Sequence, residues 1–233
     1  MGEVILKIEN GTKKFKNELI FQNVSMEFEK GNSYGFVGPN GCGKSVFFKT
    51  LCGYSLLTEG QVIYRGKIIG KEQDFIDDAG IVIEEPEFIN SLSGLENLKI
   101  LAEIQKKISE AEIIEVLKQF DLYEDRNKKV GKYSVGMKQK LRLAQAVMEK
   151  PQVLILDEPM NGLDKKSVKK VEDILKAFVE NGGTLFTGLP QFSTHTKRDF
   201  LHDWKDFAGD GVTITAISGD TATISDNSKV VYK

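Results

Sequence analysis

The stretch of sequence that decides the fold is Gly38-Pro39-Asn40-Gly41-Cys42-Gly43-Lys44-Ser45. It matches the pattern G-x-x-x-x-G-K-[ST], in which glycines let the backbone curl so that successive N–H groups point at phosphate oxygens. An apolar strand at 34–37 precedes the loop, and a helix predicted from Lys44 to residue 51 adds a favourable dipole for an anion. We therefore expect the loop to bind a nucleotide, with Lys44 on the β- and γ-phosphates and Ser45 on Mg²⁺. A simple glycine turn would leave the adjacent Lys and Ser unexplained.

Two carboxylates supply a second anchor for a nucleotide and its metal. Asp157 and Glu158 directly follow the apolar run 153–156, which predicts a buried strand of a parallel sheet. Ligands of such sheets bind beyond the carboxyl ends of the strands, where both carboxylates stand. We expect Asp157 to hold Mg²⁺, directly or through water, and Glu158 to polarise an attacking water as general base. The alternative is an acidic loop that merely ends a buried strand.

Composition and charge limit the class of protein. The 233 residues suffice for one large α/β domain or for a domain with an inserted lobe, and 40% of them are hydrophobic. The formal net charge of -2 gives no overall attraction to nucleic acid, so no nucleic-acid partner is expected. The two cysteines, Cys42 and Cys52, favour a reducing compartment over a disulfide. No apolar run reaches the ~20 residues that cross a bilayer, so a membrane role would require a partner chain.

Hydrophobic patterning divides the chain into a strand-rich core and a helical insertion. Strand patterns occur at 3–9, 19–28, 34–37, 79–83, 153–156 and 184–187, and residues 61–70 predict a hairpin that turns at Arg65-Gly66. Residues 86–150 instead show apolar side chains at helical spacing behind two S-x-x-E capping boxes. After residue 211, three short strand-like pieces complete the chain. The sequence predicts one α/β domain, with 1–85 and 151–233 forming the core and 86–150 an inserted helical subdomain.

A further segment narrows the class of nucleotide-binding protein; it is Tyr133-Ser134-Val135-Gly136-Met137-Lys138-Gln139-Lys140. It resembles the L-S-G-G-Q signature of the ATP-binding cassette (ABC) ATPases, which stands shortly before the strand that carries the Asp-Glu pair. Downstream, Asn161-Gly162-Leu163-Asp164 resembles the S-G-L-D segment of that family. The resemblance implies a P-loop NTPase fold of the ABC type, with a mixed sheet, an N-terminal antiparallel β part and a helical subdomain. It also implies that the chain binds and hydrolyses ATP with Mg²⁺.

The same resemblance implies partners. Two cassettes of this family meet head to tail, so Ser134, Val135 and Gly136 would face the γ-phosphate bound by a second ATPase subunit, and Asp164 would lie at the dimer seam. Separate integral membrane permease subunits would dock near 84–93 and place the protein in the cytoplasm, peripheral on the inner face of the cell membrane. The transported substrate is unidentified. The alternatives are a soluble ABC ATPase without transport and a regulatory module that binds ATP with little turnover.

Two positions refine the resemblance. Phe15 aligns with the aromatic residue that stacks on adenine, although a core phenylalanine is an alternative. Glu84 occupies the place of the family's Gln, which contacts Mg²⁺ and the attacking water; a carboxylate there can still accept a hydrogen bond from metal-bound water. Glu84, together with the Y-S-x-G-M signature, resembles the drug and lantibiotic export and self-resistance branch.

The family's switch histidine has no obvious counterpart. Its expected place, just after the strand at 184–187, falls near Pro190. The nearest candidate is His195, in a run that resembles the usual S-T-H tripeptide. Either an insertion from Gly188 to residue 192 displaces His195, which would then act as the catalytic switch, or the switch is missing. His202 is interpreted as an ordinary surface residue.

Overall fold

The computed structural model describes residues 2–16, 18–38, 40–84 and 88–190, together with two strands nearer the C-terminus. The strands are β1 Val4–Phe15, β2 Glu18–Glu29, β3 Ser33–Gly38, β4 Glu59–Tyr64, β5 Lys67–Ile68, β6 Ala79–Val82, β7 Val153–Asp157, β8 Thr184–Pro190, β9 Val212–Ser218 and β10 Thr221–Ser225. The helices are α1 Lys44–Cys52, α2 Gly94–Gln105, α3 Glu110–Gln119, α4 Val135–Val147 and α5 Lys165–Glu180, with a short 3₁₀ turn at Val130–Lys132.

Within these residues the strands form two sheets. A four-stranded antiparallel sheet has the order β2-β1-β4-β5, and a six-stranded sheet has the order β10-β9-β3-β8-β7-β6. In the larger sheet β9, β3, β8, β7 and β6 run parallel, and β10 pairs antiparallel with β9. The predicted α/β fold with an N-terminal antiparallel part is confirmed. Parallel strands end at a common edge of the sheet. The residues that follow β3, β6, β7 and β8 therefore all lie at that edge.

The hairpin of β1 and β2 is longer than the strands predicted at 3–9 and 19–28. Register shifts interrupt the pairing between Ile8 and Gly11 and again between Gly11 and Lys14. Such shifts disturb the alternation of inward and outward side chains, so the strand pattern fades in the sequence although the pairing continues. The hairpin brings Ile20 against Gly43 of the phosphate loop.

Aromatic side chains fix the two elements that flank the phosphate loop. The ring of Phe36 on β3 lies 5.3 Å from that of Phe47 and 5.1 Å from that of Phe48, measured between centroids. Both partners belong to α1, and all three side chains are buried. Edge and tilted ring contacts of this kind add to the stability that burial alone supplies. The strand before the loop and the helix after it are therefore locked together beneath it.

Helices α2, α3 and α4, called the helical lobe below, begin as the sequence predicts. Ser93 and Ser109 accept hydrogen bonds from the backbone N–H groups of Glu96 and Glu112, and both glutamates complete their capping boxes. Buried side chains of the lobe and of the larger sheet form one hydrophobic cluster, which includes Leu98, Leu117, Leu141, Leu154 and Leu185. None of the helices in the described part of the chain combines the length and the apolar composition that crossing a membrane requires.

Strand β8 runs beyond the predicted strand at 184–187. Its pairing with β3 is unbroken from the Leu185–Ser33 pair to the Pro190–Gly38 pair. Residues 188–190, with which one of the two alternatives for the switch histidine begins an insertion, continue this strand. Glycine and proline are uncommon inside strands, which is why the sequence indicated an earlier end. His195, His202 and the last strand-like piece of the tail lie outside the described residues.

Candidate nucleotide-binding site

The phosphate loop joins the end of β3 to the start of α1. Gly41 and Gly43 have φ values of 81° and 97°, which residues with a side chain rarely adopt. Gly43 caps α1 without a side-chain hydrogen bond, so the first N–H groups of the helix point into the loop uncapped by a side chain. Such N–H groups, together with the helix dipole, form an anion site. Pro39 lies outside the described residues, and Cys42 is half-buried in the loop.

The Lys44 side chain turns back into the loop. Its Nζ donates a hydrogen bond of 2.8 Å to the carbonyl oxygen of Gly38, and the residue is 5% exposed. A buried ammonium beside the glycine loop and the N-terminus of α1 concentrates positive charge in this cradle. This is the electrostatic arrangement that nucleotide phosphates require.

Ser45 and Asp157 meet beside this cradle. The Ser45 hydroxyl donates a hydrogen bond to Asp157 Oδ2, and the other carboxylate oxygen, Oδ1, is buried with no hydrogen-bond partner among the described residues. A buried carboxylate oxygen lacking a partner is expected to be satisfied by a ligand or a water. Mg²⁺ takes few protein ligands and keeps several waters and phosphate oxygens, so a serine and an aspartate suffice. The described residues contain no group of three His, Cys, Asp or Glu side chains that could hold a metal by themselves.

Gly188 makes room for Asp157. Residue 188 stands beside Asp157 in the β7–β8 ladder. A Cβ atom added to Gly188 would overlap Asp157 Oδ1, closer than real Cβ atoms approach other atoms. The sequence did not indicate this role, because it depends on the pairing of β8 with β7.

Glu158 follows Asp157 in a left-handed backbone conformation, with φ of 47°. Its backbone N–H bonds to the carbonyl of Gly188 at 3.1 Å, and Asn161 Nδ2 donates to its carboxylate at 3.2 Å. Strained backbone of this kind concentrates at functional sites. Both contacts direct Glu158 toward the edge of the sheet where the phosphate loop ends.

An open cavity of about 570 Å³ brings the candidate residues together. Its lining includes Asn40, Gly41, Lys44, Ser45, Asp157 and Glu158. Glu84 and Val135 also line it, from the segment after β6 and from the start of α4. Four of the described residues that the sequence predicts at the site do not line this cavity: Phe15, Ser134, Gly136 and Asp164. The cavity thus unites the phosphate loop with three carboxylates.

Glu84 is held by a lysine that the sequence analysis did not single out. Lys49 Nζ and Glu84 Oε1 are 2.5 Å apart, and Glu84 has a φ of 61°. Lys49 lies four residues after Ser45 on α1, so helical spacing alone places both on one face of the helix. That spacing indicates that Lys49 is a neighbour of Ser45, but its contact with Glu84 follows only from the fold.

The signature segment forms the exposed start of α4. Ser134 is the N-cap and accepts a hydrogen bond of 3.2 Å from the backbone N–H of Met137, while Val135 is 70% exposed. A Cβ on Gly136 would lie 3.0 Å from the carbonyl oxygen of Gly162, so α4 packs closely on the turn after β7. Ser134 is thus an N-cap whose helix end is open to a further ligand.

Two buried polar side chains of α4 were missed. Gln139 Nε2 donates to the carbonyl of Pro159 at 2.9 Å, and Arg142 Nη1 donates to Gln139 Oε1 at 3.1 Å. They tie the signature helix to the turn that carries Glu158. No spacing in the sequence distinguishes them from solvated helix residues.

Asp164 and Phe15 lie outside the cavity. Asp164 is the N-cap of α5 and accepts a 2.9 Å hydrogen bond from the backbone N–H of Ser167, which lowers the pKa of its carboxyl group. Phe15 is 46% exposed at the end of β1, so the alternative of a core phenylalanine is wrong. Lys13 Nζ lies 4.5 Å from the centroid of the Phe15 ring, a cation–π arrangement.

Comparison with known proteins agrees with this geometry. Residues 21–161 match the family model described as ABC transporter. The chain is 34% identical over 229 residues to the ABC transporter ATP-binding protein YybJ of Bacillus subtilis, covering 98% of this chain and 99% of that protein. It is 34% identical to the lantibiotic transport ATP-binding protein SrtF of Streptococcus pyogenes, over 88% of this chain and 86% of that one.

Other relatives are longer, and solved structures share the fold. The bacitracin transport ATP-binding protein BcrA of Enterococcus faecalis is 34% identical over 79% of this chain, which spans 60% of the length of BcrA. The ATP-binding cassette MJ0796, solved as a dimer bound to ADP and phosphate, superposes with a TM-score of 0.78 at 23% identity, over 97% of this chain and 100% of that one. With the phosphate loop, the carboxylate pair and the signature helix in one arrangement, the chain belongs to the ABC transporter family as one of its ATP-binding proteins.

Proposed function

We propose that this chain is the ATP-hydrolysing subunit of an ABC exporter, which works as a dimer with separate integral membrane subunits. The observation that carries the proposal is the convergence of Lys44, the Ser45–Asp157 pair and Glu158 on one cavity. Relatives named for bacitracin and lantibiotic transport support a drug or an antimicrobial peptide as the exported substrate. In this role the chain is a single ABC domain with its helical subdomain at 86–150.

Each group in the cavity has a chemical task in hydrolysis. The backbone N–H groups of the loop and Lys44 bind the β- and γ-phosphates, and Ser45 and Asp157 hold Mg²⁺. Bound Mg²⁺ supplies positive charge that offsets the charge on the phosphate oxygens. Glu158 accepts the proton of the water that attacks the γ-phosphorus, while the bond from that phosphorus to the β-γ bridging oxygen breaks to leave ADP.

The open end of α4 supports head-to-tail dimerisation. Ser134 and Val135 are exposed, so the helix N-terminus is accessible to the γ-phosphate on a second subunit. Asp164 is also exposed, two residues after Gly162, whose carbonyl oxygen lies close to Gly136 of α4. In the dimer, Ser134, Val135 and Gly136 complete the partner's site, and Asp164 lies at the seam. Phe15 extends the site by stacking its exposed ring on adenine.

Exposed apolar side chains support docking of a membrane subunit. Tyr54 and Phe75 form an edge-to-face pair, with ring centroids 5.6 Å apart, and both are more than half exposed. Tyr54 and Ile104, which is 76% exposed, line one cavity of about 390 Å³ between the core and the helical lobe. Ile89, 50% exposed, lies in the predicted docking segment 84–93. An amphipathic helix of a membrane subunit would cover such a surface and hold the chain on the inner face of the cell membrane.

The decisive experiment replaces Glu158 by Gln. The variant should bind ATP as the unchanged protein does, release no phosphate, and elute as a dimer in size-exclusion chromatography with ATP and Mg²⁺. Glu124→Gln, an exposed change in the helical lobe, is the matched control and should hydrolyse ATP normally. Normal turnover by Glu158→Gln would remove Glu158 as the general base, and a monomer with bound ATP would remove the head-to-tail dimer.

A further inference from the structure

Lys49 and Glu84 form an ion pair between the helix of the phosphate loop and the strand end that leads to the helical lobe. The ammonium and the carboxylate oxygen are 2.5 Å apart. Lys49 is on α1, one turn beyond Ser45, and Glu84 follows β6, whose neighbour β7 ends in Asp157. The pair therefore stands beside the proposed metal position, and Glu84 itself lines the nucleotide cavity.

Exposure argues against a mainly stabilising role for the pair. The Lys49 side chain is 31% exposed and that of Glu84 is 62% exposed. Exposed ion pairs change an equilibrium by about fivefold at most, which is ~1 kcal/mol, and often by less. An effect of that size is minor for folding, but it is readily measured in a binding equilibrium of the site.

The charged side chains that line the cavity indicate that the Lys49–Glu84 pair affects metal binding. Three carboxylates, those of Asp157, Glu158 and Glu84, line the cavity that the nucleotide and Mg²⁺ would occupy, together with the cationic side chains of Lys44 and Arg142. A carboxylate at position 84 that was free to turn would attract the metal, whereas one engaged by Lys49 is neutralised. Glu84 also has a left-handed backbone, so its present position depends on contacts that hold it.

We propose that Lys49 is a positioning residue, which holds the Glu84 carboxylate in the nucleotide-free protein and releases it when magnesium-nucleotide binds. The inference rests on the proposed function, because it takes Glu84 to face the metal.

The test measures Mg²⁺-dependent binding of the non-hydrolysable nucleotide AMP-PNP by calorimetry, so that turnover plays no part. Lys49→Met should lower the Mg²⁺ concentration at half-maximal binding up to about fivefold, because the metal no longer competes with the ammonium for Glu84. Lys49→Arg should keep the value of the unchanged protein, since it retains the positive charge. Lys99→Met is the matched control, because it breaks a 2.5 Å ion pair with Glu110 in the helical lobe, outside the cavity lining.

A double-mutant cycle separates positioning from stability. In a Glu84→Gln background, Lys49→Met should no longer shift the Mg²⁺ requirement. The exchanged pair, K49E/E84K, should not restore the Mg²⁺ dependence, because the carboxylate has moved to α1. An equal shift in both backgrounds, or full recovery by the exchanged pair, overturns the inference.

The two proposals fail in distinguishable ways. If Lys49→Met leaves the Mg²⁺ requirement unchanged while Glu158→Gln abolishes hydrolysis, the positioning role is wrong and the proposed function stands. If Glu158→Gln hydrolyses ATP normally, the proposed function is wrong whatever Lys49 does.

Discussion

The hydroxyl of Ser45 donates a hydrogen bond to Asp157 across 112 positions of the chain. The contact joins the first turn of α1 to the end of β7, and β7 is held between β6 and β8. The two residues proposed to hold Mg²⁺ are therefore brought together by the fold itself. Preorganised groups of this kind lose little freedom on binding.

Replacing Lys44 by Ala should abolish tight ATP binding. The ammonium is buried in the loop, and a charge-assisted bond to phosphate is worth about 3 kcal/mol, or roughly a hundredfold in affinity. Calorimetry with ATP and Mg²⁺ measures the loss. Lys176→Ala, on the outer part of α5, is the control and should bind normally. Micromolar affinity in Lys44→Ala would contradict the assignment of the phosphate loop.

Gly188→Ala should weaken magnesium-dependent nucleotide binding. The new methyl group would press on Asp157 Oδ1, and overpacking of this kind costs about 1–3 kcal/mol. Binding of ADP should fall by about tenfold or more with Mg²⁺ and change less in EDTA, because the metal side is displaced. Equal weakening in both conditions would indicate a general distortion of β8 instead.

Asp164→Ala should lower the melting temperature by about 2–4 °C, because α5 loses its N-cap. Asp164→Asn should keep the cap at neutral pH. The hydrogen bond from the backbone N–H of Ser167 lowers the pKa of Asp164 in the folded state. The stabilisation that the Asp164 carboxylate contributes to the fold is therefore fully present above the ordinary carboxyl pKa, and it is lost as the pH falls through the lowered pKa.

Thermal unfolding at pH 7 and near pH 3 tests this sign. The unchanged protein should melt at a higher temperature than Asp164→Ala at pH 7, and this difference should be smaller near pH 3. The difference in melting temperature between Asp164→Asn and Asp164→Ala should be the same at both pH values. An advantage that grew in acid would contradict the capping role. A weaker ATP-dependent dimer in Asp164→Asn, at an unchanged melting temperature, would support its position at the seam.

His195→Ala should slow steady-state ATP turnover by about a hundredfold if His195 is the switch, because general acid–base groups contribute on that scale. Phosphate release at saturating ATP measures the effect, with His202→Ala as the control. An unchanged rate would favour the alternative, in which the chain hydrolyses ATP without a switch histidine.

Local motifs in the sequence predicted most of the architecture. The phosphate loop, the carboxylate pair and both capping boxes depend on residues a few positions apart, and the corresponding strands and helices are confirmed. What the sequence did not reveal depends on contacts between distant segments. Gly188 matters only because β8 pairs with β7, and Lys49 only because β6 ends near α1.

The extension of β8 shows the same limit. Glycine and proline disfavour strand interiors, so the Gly-Leu-Pro run at 188–190 indicates an end of the strand by local preference. Pairing with β3 nevertheless extends β8 to Pro190. Tertiary pairing overrides local preference here, and no window of sequence contains that information. The division of the chain at residues 85 and 151 likewise stays a prediction.

The rings of Phe36, Phe47 and Phe48 pack together beneath the phosphate loop. A nucleotide bound to the loop should therefore stabilise the folded core as well as serve as a substrate. The phosphate loop connects β3 to α1, and contacts between these rings hold β3 and α1 together. If β3 and α1 separated, the loop would lose its shape. Nucleotide bound to the loop therefore resists melting of the aromatic cluster, and the apparent stability rises with the logarithm of nucleotide concentration. At a high ATP concentration, bound nucleotide should therefore contribute to the equilibrium stability of the folded chain.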